Sequence, residues 1–292
     1  MAEPAHHPIF DRFGVADVEM DEDWFCDFLG VRTRSGFVDW AGVGRKPVLP
    51  PFDEEYFEWI DVMEAVTRAE GEFTMIELGA GYGRWLVRAV AALRIANPMP
   101  YRLAGVEAEP THFQWLGEHL TDNEVDLERS WLIMAAISGD AGRVPFHVGN
   151  PREWYGQAMA QGIKRIGWLW NVWNVMMGRK DRTLRWVKSV TLTEILDRFE
   201  KVDLIDLDVQ GAEADVLESA PAELDHKVAR LHIGTHSHEI EDRLRRLFGR
   251  LGWRRLNDYA CLAKSETPYG TIEFGDGVQT WLNPRFGGPP RS

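Results

Sequence analysis

A glycine-rich turn between a predicted strand and a predicted helix is the strongest chemical signal in the sequence. The stretch Ile76-Glu-Leu-Gly-Ala-Gly-Tyr-Gly83 has the spacing G-x-G-x-G, and the acidic Glu77 stands two positions before the first glycine. Glycines in such a turn let the backbone approach a ligand closely and adopt positive φ values. The following helix offers free N–H groups and the positive end of its dipole. The turn therefore predicts a ligand site at the start of this helix.

A second acidic residue, Glu107, ends the next predicted strand, 24 residues after Gly83. A carboxylate at this position can accept hydrogen bonds from both hydroxyl groups of a ribose. The turn and this carboxylate together favour a ligand that contains adenosine. The competing interpretation is an ordinary strand–helix turn followed by a glutamate on the surface.

Asp208 and His236 are the candidate residues for chemistry on a substrate. Asp208 ends the fourth predicted strand and His236 follows the fifth, so both belong at the carboxyl ends of parallel strands, where such sheets bind ligands. A neutral imidazole can take a proton from a hydroxyl group. The two side chains could also hold a divalent cation such as Mg²⁺, which lowers the pKa of an alcohol. A turn-capping carboxylate and a hydrogen-bonded structural histidine remain the alternatives, and the structural interpretation is favoured for His232 and His238.

The elements that must position these residues alternate between strand and helix from residue 72 onward. The predicted strands are Phe73–Leu78, Tyr101–Glu107, Trp131–Ile137, Val202–Asp208 and Leu231–Thr235. Helical patterns between them predict an α/β fold with a Rossmann-like, doubly wound and mostly parallel sheet. Four shorter strand patterns within residues 253–282 are predicted to add an antiparallel edge.

The first 70 residues are predicted to form a helical N-terminal extension, followed by a main domain over residues 71–292. Helical spacing is present in Asp21–Leu29 and Asp53–Arg68. In the second segment Tyr56, Ile60 and Met63 belong to one apolar stripe, which predicts packing against the main domain.

A Trp-rich insertion interrupts the alternation at about residues 150–188. It contains Trp154, Trp168, Trp170, Trp173 and Trp186 among several lysines and arginines. Three interpretations stay open: a lid that stacks on substrate rings, a surface for peripheral membrane contact, and ordinary core or dimer packing. A homodimer is therefore plausible.

Composition restricts the partners and the compartment. The formal net charge of −13 makes nucleic acid an unexpected partner, because phosphate contacts need clustered lysine and arginine. Cys26 and Cys261 form neither a disulfide framework nor a zinc pattern, which is typical of a cytoplasmic protein. No run of about 18 apolar residues predicts a transmembrane segment, and no signal peptide is predicted.

The sequence resembles the FkbM family of S-adenosylmethionine (SAM)-dependent methyltransferases. Three stretches carry the resemblance: Ile76–Gly83, Ala135–Ser138 with Gly142 and Phe146, and Val202–Leu217 with Leu231–Ser237. The piece Asp208-Val-Gln-Gly-Ala-Glu213 is the most specific of them. The resemblance extends over about residues 72–253, apart from the Trp-rich insertion.

The resemblance implies a class I methyltransferase that binds SAM and methylates a hydroxyl group of a sugar, a glycan or a related natural product. By position, it implies that Glu77, Gly79, Gly81 and Gly83 line the methionine and ribose side of the cofactor. Glu107 would hold the ribose. Ala136 and Ile137 would lie beside the adenine.

Two other functions compete with this interpretation. A nicotinamide-dependent oxidoreductase could use a similar glycine turn, but the G-x-G-x-G spacing and the missing Tyr/Lys or zinc pattern count against it. A non-catalytic module that binds an adenosine ligand is the other alternative.

Overall fold

Seven strands form the central sheet of the chain, in a computed structural model that describes residues 4–18, 22–38, 46–148 and 183–286. In spatial order they are β11 (Arg254–Tyr259), β14 (Gly277–Leu282), β10 (Arg230–Thr235), β9 (Leu204–Leu207), β3 (Phe73–Leu78), β4 (Tyr101–Glu107) and β5 (Ser130–Met134). β14 runs antiparallel to β10 and β11, and the remaining pairs from β10 to β5 are parallel. The predicted Rossmann-like, mostly parallel sheet is confirmed. Its antiparallel strand is β14, which is second from the edge and lies between β11 and β10.

Helices cover both faces of this sheet. They are α1 (Glu55–Arg68), α2 (Arg84–Ala96), α3 (Pro110–Asp122), α4 (Leu192–Leu196), α5 (Glu213–Glu218), α6 (Pro221–Lys227) and α7 (His238–Leu251). The first three share one hydrophobic cluster with one face of the sheet. The last four share a second cluster with the other face. This is the doubly wound arrangement that alternating strands and helices predict.

Local sequence explains where the elements that frame the site begin. All six residues of β3 are buried, as expected for a central strand covered on both faces. Pro110 starts α3, and the Glu109 side chain accepts a hydrogen bond from the His112 backbone N–H. The Ser237 side chain caps α7 in the same way. The helix starts that follow β4 and β10 are therefore fixed by their own caps.

The N-terminal region is helical only in part. The helix predicted over Asp21–Leu29 is wrong, because β1 (Trp24–Cys26) pairs there with β2 (Arg32–Arg34) as an antiparallel hairpin. The Asp27 carboxylate accepts the backbone N–H groups of Leu29 and Val31, and Gly30 has φ +83°. This local turn overrides the helical spacing.

The long helix α1 confirms the second predicted N-terminal helix. In the hydrophobic cluster beneath it, Phe10, Phe28 and Trp59 pack together with Trp85 and Leu103. Residues before and after position 70 thus share one core, and the division of the chain at residue 70 stays a prediction.

The predicted third strand is divided between two sheets. β5 belongs to the central sheet, whereas β6 (Ala136–Ile137) pairs with β8 (Thr183–Val190), which in turn pairs with β7 (Gly142–Val148). Between them, the Ala135 backbone N–H donates to the Glu107 carbonyl oxygen at 3.0 Å. The break directs β6 across the carboxyl end of β4.

Most of the predicted insertion falls, in sequence, between Val148 and Thr183, which pair in this small sheet. Residues 149–182 are outside the described part of the chain, so the lid, membrane-contact and dimer interpretations stay predictions. Trp186, on β8, is exposed.

The rest of the described chain has three smaller features. The last hairpin, β12 (Ala263–Thr267) with β13 (Gly270–Phe274), packs on Phe57 of α1. Cys26 and Cys261 are both free thiols. None of the helices described here is long and apolar enough to cross a membrane.

Candidate active site

A cavity of about 620 Å³ lies at the carboxyl ends of β3, β4, β9 and β10. This volume falls within the range of about 300–1,000 Å³ that is usual for small-molecule sites. Of the residues predicted from the sequence, seven line it: Glu77, Gly79, Gly81, Glu107, Ala136, Ile137 and Asp208. Gly83 and His236 lie next to it without lining it.

The three glycines of the turn all have positive φ, but each is required for a different reason. Gly79 (φ +81°) faces β9, since a Cβ there would lie 1.8 Å from the Asp208 carbonyl oxygen. Gly81 (φ +53°) donates its N–H to Glu107 Oε2 at 2.8 Å. A Cβ on Gly83 (φ +72°) would lie 2.2 Å from Leu116 Cδ1 on α3. Gly83 therefore allows α2 and α3 to pack.

Glu77 lies under the turn and caps α2. Its two carboxylate oxygens accept the backbone N–H groups of Trp85 at 3.3 Å and Leu86 at 3.2 Å. Burial and the neighbouring Asp206 raise the pKa of Glu77 well above its usual value. Glu77 thus supplies the helix start with hydrogen-bond acceptors in addition to lining the cavity.

One end of the cavity is lined by Glu107, Ala136, Ile137 and Phe146. We call this end the cofactor side. The Glu107 carboxylate accepts the N–H groups of Gly81 at 2.8 Å and Glu109 at 2.6 Å. Burial raises the pKa of Glu107 to about 7, against the lowering effect of these hydrogen bonds. Ala136 and Phe146 form a buried apolar cluster beside it. A carboxylate next to an apolar wall suits a ribose attached to an aromatic base.

Four ionisable residues, Asp208, Glu213, His236 and Asp276, form what we call the mouth cluster. His236 Nδ1 lies 2.8 Å from Glu213 Oε1, and its Nε2 lies 3.4 Å from Asp208 Oδ1 and 3.6 Å from Asp276 Oδ1. Burial lowers the pKa of His236, but the Glu213 hydrogen bond and the three carboxylate charges outweigh it and raise the pKa to about 9. The imidazole is therefore cationic at neutral pH, in contrast to the neutral ring expected from the sequence.

A second group, Glu58, Asp61, Asp206 and His232, forms what we call the floor cluster. Asp206 is the cross-strand neighbour of Glu77 on one side and of His232 on the other. These three side chains therefore form a polar row across three adjacent strands, beneath α1. Asp206 had no assigned role in the sequence, and for His232 the structural interpretation was favoured.

Asp61 holds the histidine of the floor cluster in place. Its Oδ2 lies 2.7 Å from His232 Nδ1 and accepts a hydrogen bond from Thr280 Oγ1 at 2.6 Å. Its other oxygen pairs with Arg230, which is also buried. His232 lines the cavity at the end of this network.

Glu58 and Asp206 share a hydrogen bond at the bottom of the cavity. Burial and the Asp206 charge raise the pKa of Glu58 well above its usual value, and burial raises the pKa of Asp206 to about 6. Asp206 Oδ1 finds no hydrogen-bond donor among the described residues.

Several lining residues were missed by the sequence analysis: Glu54, Glu58, Arg84, Phe146, Asp206 and Asp276. Asp206 precedes Asp208 by two positions in a strand, so alternation places both on one face and could have revealed it. The α1 residues give no such signal, because the apolar stripe of this helix predicts packing alone.

A family model and a related protein sequence match this chain. The family model described as "Methyltransferase FkbM domain" matches residues 101–253. The match begins at β4, so the glycine turn lies before it. A protein of Jannaschia sp. (strain CCS1) that carries a provisional methyltransferase name is 26% identical over 270 residues, which are 90% of this chain and 93% of that protein.

Two solved structures are similar at a lower level. Methyltransferase FkbM from Methylobacillus flagellatus KT has a TM-score of 0.44 and 14% identity, covering 73% of this chain but 45% of that one. The chain thus spans less than half of that protein. An O-methyltransferase from Bacillus cereus in complex with SAH has a TM-score of 0.39 and 10% identity, covering 80% of this chain and 82% of that one. Neither similarity is high enough to assign a function.

Proposed function

Because the chain belongs to the FkbM methyltransferase family, we propose that it transfers a methyl group from SAM to a hydroxyl group of a sugar, glycan or related natural product. The observation that carries this proposal is the Glu107 carboxylate at the end of β4, 2.8 Å from the Gly81 N–H and beside the apolar wall of Ala136 and Phe146. These groups fit the ribose and the adenine of SAM.

The residues of the chain have two tasks in such a reaction. SAM supplies an activated methyl group on a sulfonium, so the protein has to align the acceptor oxygen and receive its proton. Glu107 orients the ribose, and the backbone of Gly79 and Gly81 leaves room for the rest of the cofactor. The acceptor hydroxyl approaches from the side of Asp208.

Asp208 is the proposed base. It lines the cavity and is half exposed, whereas His236 stands behind it. Burial raises the pKa of Asp208, and the charges of Asp276 and Glu213 act in the same direction, whereas the charge of His236 opposes them and favours the carboxylate form. His236 thus acts on the reaction by positioning Asp208, and the acceptor proton passes to the Asp208 carboxylate as the O–CH₃ bond forms and the S–CH₃ bond breaks.

A divalent cation such as Mg²⁺ is an addition to this scheme that the mouth cluster would fit. Ligand atoms of Asp208, Glu213 and His236 all lie within 4.8 Å of one another. Glu213 Oε2 is buried and has no hydrogen-bond partner in the described chain. A bound cation would lower the pKa of the acceptor hydroxyl, and His236 would have to lose its proton to coordinate it. Methyl transfer that is unchanged in EDTA would exclude this addition.

Isothermal titration of the purified protein with SAM, SAH and NAD tests the cofactor. We expect binding of SAM and SAH and none of NAD. Binding of NAD alone would favour the oxidoreductase. SAM binding without a methylated product, by mass spectrometry over a panel of sugars and natural-product alcohols, would favour a non-catalytic module.

The Glu107→Gln variant tests the assigned pocket. Glutamine keeps the size of the side chain but loses the charge that strengthens hydrogen bonds from ribose, so SAM should bind about tenfold more weakly. Glu273→Gln is the matched control, because Glu273 is exposed on β13 beside Lys264. Equal SAM affinity in the two variants would contradict the assignment.

A further inference from the structure

The lining of the cavity is strongly acidic. Among its described residues are eight carboxylates and one guanidinium, that of Arg84. Arg84 is already engaged by Glu55, with Nη1 2.8 Å from Oε1. No lysine lines the cavity within the described residues. Such a lining repels phosphate and carboxylate groups and attracts cations.

These carboxylates divide by their neighbours. Glu77 and Glu107 contact the backbone of the glycine turn and of the start of α2, and the other six described carboxylates of the lining make no such backbone contact: Glu54, Glu55, Glu58, Asp206, Asp208 and Asp276. We call the part of the cavity that these six line the acceptor side. Among the described residues, Arg84 and His236 form ion pairs with these carboxylates, so the six acidic groups outnumber these two basic ones by three to one.

At the bottom of the acceptor side, one carboxylate oxygen lacks a hydrogen-bond donor among the described residues. Asp206 is only 4% exposed, lines the cavity, and its Oδ1 has no hydrogen-bond partner among the described residues. Buried carboxylate oxygens are normally hydrogen-bonded, because an unpaired one loses its hydration without compensation. A ligand that donates hydrogen bonds here would satisfy it.

The neighbouring Glu58 indicates the charge of that donor. Burial and the Asp206 charge raise the pKa of Glu58 well above its usual value, so the pair is disfavoured when both groups are charged. A cationic group against the pair would offset this cost and stabilise both carboxylates in their charged form. A neutral hydroxyl would satisfy Asp206 Oδ1 but would leave the excess negative charge unbalanced.

From the charge of the lining and the unpaired Asp206 oxygen, we infer that the methyl acceptor carries an ammonium group, which binds against Glu58 and Asp206 while its hydroxyl faces Asp208. The acceptor class is a hydroxylated amine such as an amino sugar. This inference rests on the proposed function, since it assigns the space beside the cofactor to the acceptor.

The test compares matched ligands on the protein saturated with SAH. Glucosamine, galactosamine and mannosamine are each titrated beside their N-acetyl derivatives, which keep the hydroxyls but lose the charge. We expect at least one amine to bind about tenfold more tightly than its derivative, the effect of one charge-assisted hydrogen bond. The inference is overturned if no amine binds more tightly than its derivative.

Two variants locate the effect. Asp206→Asn and Glu58→Gln should each bring the amine and its derivative to within about threefold of each other, while SAH affinity stays as in wild type. Glu273→Gln, on the surface, should retain the preference. Circular dichroism and thermal unfolding check that the variants are folded.

The same titrations separate two kinds of failure. A loss of SAH affinity in Asp206→Asn as large as the loss of amine affinity would assign this carboxylate to the cofactor and overturn the inference alone. Absence of SAH binding to the wild-type protein would overturn the proposed function and the inference with it.

Discussion

The mouth and floor clusters contain the same kinds of residue in opposite settings. Each has one histidine from the β10 region, four positions apart, and three carboxylates nearby. At the mouth, three acids surround a partly exposed His236 and make it a cation. At the floor, a single buried carboxylate, Asp61, fixes His232 from behind, and Arg230 and Thr280 fix Asp61. The arrangement of the partners, and not the residue type, decides what each histidine can do.

The largest expected effect separates the clusters by stability. Asp61→Ala would leave His232 buried without its partner and Arg230 with Glu64 alone, and should lower the free energy of unfolding by about 3–5 kcal/mol. Asp276→Ala at the mouth removes a partly exposed carboxylate and should cost less than about 1 kcal/mol. Urea unfolding measures both. Similar losses in the two variants would remove the distinction between floor and mouth.

A second contrast concerns catalysis. Asp208→Asn should lower kcat by about 100-fold or more, because the amide cannot receive the acceptor proton, and should leave SAH affinity unchanged. Asp206→Asn should instead raise the KM of an amine acceptor. Steady-state kinetics with an acceptor from the panel resolve the two effects, and an unchanged kcat in Asp208→Asn would remove this residue from the chemistry.

The smallest effect is in the pH dependence of stability. The pKa of His236 is about 9 in the folded chain, above its usual 6.5. Its contribution to stability is therefore fully present below pH 6.5, declines above it, and is lost as the pH rises through about 9. We expect a loss of about 2 kcal/mol between pH 7 and pH 9.5, absent in His236→Gln.

An NMR titration of the imidazole signals gives an independent check of the same point. The His236 midpoint should lie near 9. A midpoint near 6.5 would show that the mouth carboxylates do not act on this ring.

The cofactor side could be predicted from the sequence to a large extent, because its determinants are local. The glycine turn, Glu77 and Glu107 follow each other at fixed distances along one strand–helix–strand unit, so spacing alone brings them together. The function of each glycine could not be predicted in the same way. Gly83 is required by Leu116 on α3, a contact that no spacing within the turn reveals.

The acceptor side depends on contacts between distant parts of the chain. Glu58 comes from a helix before the first core strand, and Asp206 lies on a strand far along the chain. They meet only because β9 pairs with β3 and α1 covers that pair. The β1–β2 hairpin shows that a local signal can also mislead. The residues Asp21–Leu29 have helical spacing, but the turn formed by Asp27 and Gly30 makes the chain a hairpin there.

The pairing of Val148 with Thr183 has a consequence for how such a protein can change. Val148, the last residue of β7, and Thr183, the first residue of β8, face each other as one pair of the sheet. The sheet consequently places no demand on the length or content of whatever connects these two positions, provided that its ends meet. A different connecting segment is therefore compatible with an unchanged pairing of β7 with β8.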